Sequence, residues 1–148
     1  MRTIAGTHLI IDAYTLTADV LKPDYIVAAF QRLIGTLKME QLGEPVIRAV
    51  GLRPDLLSTD DDEGGVSVIM PITTSHLSLH GWPLRQAMML DIFSCHPFDA
   101  EVAFRQIARD FQFTRSHHYI VDRVDPSMNA EPLASCVECF SWGAHATD

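Results

Sequence analysis

From Gly64 to Leu84 the chain runs for 21 residues without a formal charge, and this stretch limits the fold more than any other. Its length alone matches a membrane-spanning helix. Its content does not. Seven of the 21 residues are Ser, Thr or His, and three glycines and two prolines interrupt it. No helix of that makeup would sit in lipid unaided. Val66 to Ile72 and Ser75 to His80 read instead as two strands, divided at Pro71-Ile72-Thr73-Thr74.

The other segments fall around these two strands. Thr7 to Thr15 is short and apolar-rich and reads as a first strand. Pro23-Asp24 opens a helix whose Ile26, Ala29, Phe30, Leu33 and Leu37 make one apolar face running to about Met39. Pro45 to Leu52 is a candidate strand, followed by a polar hairpin region from Arg53 to Glu63. Ala87 to Ser94 is nearly continuous in apolar residues, which suits a central strand. Pro97 is expected to start a second helix, with Ala100, Phe104, Ile107 and Phe111 as its stripe, and Phe113 to Arg123 reads as a last strand. Val124 to Asp148 has no Lys or Arg and little periodicity. Runs of strands with two helices set between them predict an α+β fold: a two-layer sandwich, an antiparallel sheet with the helices on one face.

A length of 148 residues suits one domain. There are 11 Lys+Arg against 19 Asp+Glu, giving a net charge of -8, and no basic cluster, which argues against a nucleic-acid partner. Three cysteines and no apolar secretory region at Met1–Gly6 point to a reducing, cytoplasmic setting.

If Ser75 to His80 is extended, His76, Ser78 and His80 share one face, and Ser75, Leu77 and Leu79 the other. The polar face is either a site or a solvated surface. No third ligand accompanies the two histidines, so no metal site is expected. Cys136-Val137-Glu138-Cys139 is a lone pair without flanking ligands and reads first as packing, then as zinc or redox chemistry. Asp60-Asp61-Asp62-Glu63 reads as a solvated hairpin tip, with attraction of a cationic ligand as the alternative. In His117-His118 one ring is expected in and one out. His8 is expected to be a hydrogen-bonded structural residue.

The segment Thr74-Ser75-His76-Leu77-Ser78-Leu79-His80-Gly81-Trp82-Pro83 resembles the processing-site motif of the prokaryotic S-adenosylmethionine decarboxylases, Glu-Ser-His-(apolar)-Ser-(apolar)-His-Thr-Trp-Pro. Gly6-Thr7-His8 with Asp12 and Tyr14 is similar to the family's opening strand, and Asp91-Ile92-Phe93-Ser94-Cys95 to its Asp-(apolar)-Phe-Thr-Cys strand. Ser67 falls where the family has a serine. The likeness covers residues 4 to 123, and implies a decarboxylase-like domain at 1–123 with a C-terminal extension at 124–148.

The resemblance implies a self-cleaving, pyruvoyl-dependent decarboxylase of polyamine (spermidine) biosynthesis, made as a zymogen. Ser75 Oγ would attack the Thr74 carbonyl, and β-elimination would then cut the chain between Thr74 and Ser75. The new N-terminus would become a pyruvoyl cofactor, able to form a Schiff base with a substrate α-amine and to accept electrons as CO₂ leaves. By the same resemblance His80 is the processing base, Ser67 the assisting hydroxyl and Cys95 the acid that reprotonates product. Cys95 is expected on a buried strand. Cleavage would divide 148 residues into two chains of 74. Family members of this length imply a homodimer of processed two-chain protomers, with sites at the interface.

Three positions depart from the pattern. Thr74 replaces the usual Glu. Leu84 replaces a Glu that holds the substrate ribose, and no Phe, Trp or Tyr occurs from Gln41 to Thr74, where the family has an aromatic for adenine. Trp82 and Leu84 are therefore the positions to watch for substrate binding. The expected substrate is S-adenosylmethionine. A basic amino acid, ornithine or arginine, is the alternative that Leu84 raises, and an unprocessed, non-catalytic paralogue is the one that Thr74 raises.

Overall fold

The computed structural model of the protein describes residues 5–50, 64–125 and 134–141, the last segment as backbone. Its strands are β1 (Gly6–Thr15), β2 (Val46–Val50), β3 (Gly65–Ile72), β4 (Ser75–Trp82), β5 (Ala87–Ser94), β6 (Phe113–Arg123) and β7 (Ala134–Ser141), and its helices α1 (Pro23–Thr36) and α2 (Ala100–Asp110). All strand pairs are antiparallel, in the order β2-β3-β4-β5-β1-β6-β7, so β5 is central as expected. Both helices cover the same face, giving the two-layer α+β sandwich.

Strand alternation decides which face is covered. Leu9, Ile11 and Ala13 of β1, Val66, Val68 and Met70 of β3, Leu77 and Leu79 of β4, and Met88, Leu90 and Ile92 of β5 are buried under the helices. The helices answer with Ile26, Ala29, Phe30 and Leu33 of α1 and Ala103, Phe104 and Ile107 of α2. Each fully buried Leu, Ile or Phe stabilises the fold by about 1.5–3 kcal/mol over its exposed state. Among the described residues, no helix or second sheet covers the opposite face. Tyr14, Val46, Ile69 and Met89 lie on it, and all four are exposed.

Four local features differ from the sequence expectation. β4 continues past His80 to Trp82, because Gly81 and Trp82 keep pairing with Met88 and Ala87. α1 ends at Thr36, before Met39, and Lys38 takes a left-handed φ of 54° that turns the chain away. α2 begins at Ala100 and not at Pro97, because Asp99 caps it: its carboxylate accepts the Val102 N–H at 2.9 Å. The tail supplies β7, an edge strand on β6 that weak periodicity did not reveal. Asp60–Glu63 lies outside the described residues.

His118 of β6 is buried beneath α2 while His117 is half-buried, so the inside-outside alternation holds. The His118 ring stacks on Phe104 with centroids 3.8 Å apart. Among the described residues its Nε2 has no hydrogen-bond partner, and the nearest Glu101 carboxylate oxygen, at 3.8 Å, is too far for one. Burial pushes its pKa below the usual histidine value, and the Glu101 charge offsets this in part.

Candidate active site

Thr73 and Thr74 form a two-residue turn between β3 and β4, closed by the pairing of Ile72 with Ser75. The Thr74–Ser75 peptide therefore sits where the chain reverses. Ser75 has a φ of 155°, whereas the other positive-φ residues that are not glycine, Lys38, Gln86 and Gln112, lie at 52–54°. A backbone held in a sparsely populated region costs about 1–3 kcal/mol, which raises the energy of this peptide before any chemistry. Ser75 Oγ lies 3.1 Å from Nδ1 of His76. The Thr74 carbonyl oxygen accepts the Cys95 backbone N–H at 3.0 Å. That contact draws electron density from the carbon that a serine hydroxyl would attack.

The loop after β5 supplies this donor. β5 ends at Ser94, as the sequence indicates, and the Cys95 thiol just beyond it is exposed and not buried as expected. The cause is local. Ser94 Oγ bonds to both the carbonyl oxygen of His96 (2.8 Å) and its N–H (3.0 Å), folding residues 94–96 out of the sheet. Ser75 and Ser94 are register partners, so the thiol and the Thr74–Ser75 peptide lie at the same end of adjacent strands.

Ser67 and His80 form a second cluster. They are register partners on β3 and β4, with Ser67 Oγ 2.7 Å from His80 Nδ1. Trp82 packs edge-on against His80 with ring centroids 4.4 Å apart. The pair sits five residues along β4 from Ser75, a span of about 16 Å at the rise of a strand. One copy of the chain thus keeps His80 and Ser67 away from the peptide that the sequence reading joined them to. Leu84, in the short 3₁₀ turn Pro83–Arg85, is 64% exposed and presents no polar group there.

The uncovered face near Ser75 carries an aromatic patch that sequence reasoning missed. Phe93 pairs in register with His76 on one side and His8 on the other. Its ring meets His8 edge-on at 5.8 Å and His76 at 6.1 Å, and the Arg123 guanidinium lies over it at 4.6 Å. A Cβ on Gly6 would come within 2.6 Å of the Phe93 ring, so glycine is what lets the ring lie there. His8 is hydrogen-bonded, as expected, through Nε2 to Asp91 at 3.0 Å. The signal for the patch was present in the Gly6–His8 and Asp91–Phe93 motifs, but only pairing of β1 with β5 makes them one surface.

The site is thus a serine with a positive φ at the end of a tight turn, beside a carbonyl that already accepts a hydrogen bond. Comparison with known proteins gives the chain its family. The family model for S-adenosylmethionine decarboxylase matches residues 7–124, and the chain belongs to that family of pyruvoyl-dependent decarboxylases. An S-adenosylmethionine decarboxylase proenzyme of Archaeoglobus fulgidus is 25% identical over 122 residues, covering 81% of this chain and 98% of that protein. An arginine decarboxylase proenzyme of Caldivirga maquilingensis is 35% identical over 66 residues, covering 42% of this chain and 47% of the relative. The crystal structure of the adenosylmethionine decarboxylase from Aquifex aeolicus shares the fold, with a TM-score of 0.63 at 18% identity over 88% of this chain and 98% of that one.

Proposed function

We propose that the chain cuts itself between Thr74 and Ser75 and then decarboxylates S-adenosylmethionine, yielding the aminopropyl donor for polyamine synthesis. The observation that carries this reading is the meeting of three groups at one peptide: the Ser75 hydroxyl, the Thr74 carbonyl and the Cys95 N–H.

The cut needs only water and groups supplied by copies of this chain. Ser75 Oγ bonds to the Thr74 carbonyl carbon, the Thr74–Ser75 C–N bond breaks, and the hydroxyl proton ends on the freed amine. His76, in contact with the hydroxyl, is placed to carry that proton. Cys95 N–H stabilises the oxyanion while the carbon is tetrahedral. A base then removes the Ser75 α-proton and the Cβ–Oγ bond breaks, leaving Thr74 as a free carboxylate. The dehydrated Ser75 residue tautomerises, takes up water and loses ammonia.

The base is His80, and a second copy of the chain brings it. For His80 to accept at Nε2, its Nδ1–H must donate to Ser67 Oγ, which their 2.7 Å contact allows. Support for the second copy comes from the separation of this pair from Ser75 and from the exposed Tyr14, Val46, Ile69 and Met89 on the open face. Apolar side chains gathered on one sheet face favour burial against a partner. The resulting unit is a homodimer of two-chain protomers.

The turn fits the group that results: its precursor serine is strained, its hydroxyl is contacted, and a free thiol lies at the same end of the sheet. The pyruvoyl group made from Ser75 supplies the carbonyl that holds a substrate amine and the sink for the electrons released with CO₂. By the family resemblance, Cys95 returns a proton to the product carbon.

A second reading, decarboxylation of a basic amino acid, is favoured by Leu84. A buried hydroxyl partner lost from a nucleoside site costs about 1–3 kcal/mol of binding, whereas arginine or ornithine loses nothing. The likeness to the Caldivirga protein points the same way. Intact mass of the purified protein is the first test, with two chains of 74 residues expected. A single chain that stays whole on long incubation refutes the enzyme reading and leaves a non-catalytic paralogue. CO₂ release from S-adenosylmethionine, arginine and ornithine then chooses the substrate.

A further inference from the structure

We infer that Ser94 is a positioning residue for the cut, acting through the Thr74 hydroxyl; this rests on self-cleavage at Thr74–Ser75. Ser94 is 0% exposed, yet it carries a hydroxyl where its alternate neighbours on β5, Met88, Leu90 and Ile92, are apolar. A buried hydroxyl must be satisfied, and this one is satisfied three ways. Its oxygen lies 3.0 Å from Thr74 Oγ1, 2.8 Å from the His96 carbonyl oxygen and 3.0 Å from the His96 nitrogen.

A hydroxyl has one proton and two lone pairs. With that proton donated to the His96 carbonyl, Ser94 accepts from His96 N–H and from the Thr74 hydroxyl. With the proton donated to Thr74 Oγ1, the tie to Thr74 remains. Either way a single buried atom holds both partners of the key contact. The bonds to His96 shape the 94–96 bend and so aim the Cys95 N–H. The bond to Thr74 holds the residue whose carbonyl receives that N–H at 3.0 Å. Donor and acceptor are referenced to one point in the core, and a small misplacement of either weakens oxyanion stabilisation steeply.

The resembling motif has Glu here; in this chain a pair of neutral hydroxyls, Ser94 and Thr74, ties the peptide to the end of β5.

Freshly synthesised precursor of each variant is followed by gel and intact mass as it converts to two chains. Ser94→Ala and Thr74→Val are each expected to slow conversion about tenfold, the effect of one hydrogen bond. Thr74→Ser, which keeps the hydroxyl, stays close to wild type, and the Ser94→Ala/Thr74→Val double variant is no slower than the slower single one. A merely structural role would not produce that coupling. Wild-type speed in either single variant, or losses that multiply in the double, overturns the inference. If Ser94→Ala fails to fold, Thr74→Val against Thr74→Ser decides: equal rates refute, a slow Val and a fast Ser support. A wild type that never cuts brings down the underlying reading as well, and is told apart because it is seen without any variant.

Discussion

Ser67 and His80 face one another across β3 and β4 with 2.7 Å between Oγ and Nδ1, yet both sit five residues up the strand from Ser75. A proton cannot cross about 16 Å in one step. We propose that the pair serves the Ser75 of another copy.

This makes a mixing experiment decisive. His80→Ala and Ser75→Ala chains should each remain whole alone. Co-expressed, the His80→Ala chain should be cut, because its Ser75 meets an intact His80 on its partner. Chain masses read the result, and absence of the cut in the mixture would sink the second-copy arrangement.

Strain at Ser75 predicts a stability difference. Ser75→Ala and Ser75→Gly both lack the hydroxyl and stay whole. Glycine accepts the positive φ that alanine resists. The Gly precursor should be the more stable by about 1 kcal/mol in urea titration. Equal midpoints would mean that the turn relaxes.

The buried His118 predicts a pH dependence. Its folded pKa lies below its unfolded value, so the folded state binds fewer protons. Its contribution to stability is full above about pH 6.5 and is lost as pH falls from there through the folded pKa. Urea midpoints should drop between pH 7 and pH 5.5, and His118→Leu should reduce that drop. An unchanged slope in the variant would show that other groups cause it.

Leu84 predicts a gain of function. It is exposed, so Leu84→Glu should fold normally. The added carboxylate should lower KM for S-adenosylmethionine about tenfold, the scale of one hydrogen bond to a hydroxyl. Lowered KM for arginine with no change for S-adenosylmethionine would favour the basic amino acid as substrate.

Much of this protein was readable in one dimension. Period-two alternation placed His76, Ser78 and His80 opposite Leu77 and Leu79, and β4 has that division. The apolar stripe of Ile26, Ala29, Phe30 and Leu33 named the buried face of α1. The motif around Ser75 named the family, because residue identity at short range is what such a motif records. The sequence misled where a side chain bonded to its own backbone. Asp99 delayed α2, and Ser94 turned Cys95 out of the sheet.

What the chain determines by itself is therefore the elements, their buried sides and the residue types of the chemistry. These are local properties of alternation and turn-forming residues. Which groups meet was decided by tertiary structure alone. Cys95 N–H reaches the Thr74 carbonyl, and Ser94 reaches the Thr74 hydroxyl, only because β4 pairs with β5 in the register that sets Ser75 opposite Ser94. A shift of one residue in that register would turn every side chain of the strand to the other face and separate all three.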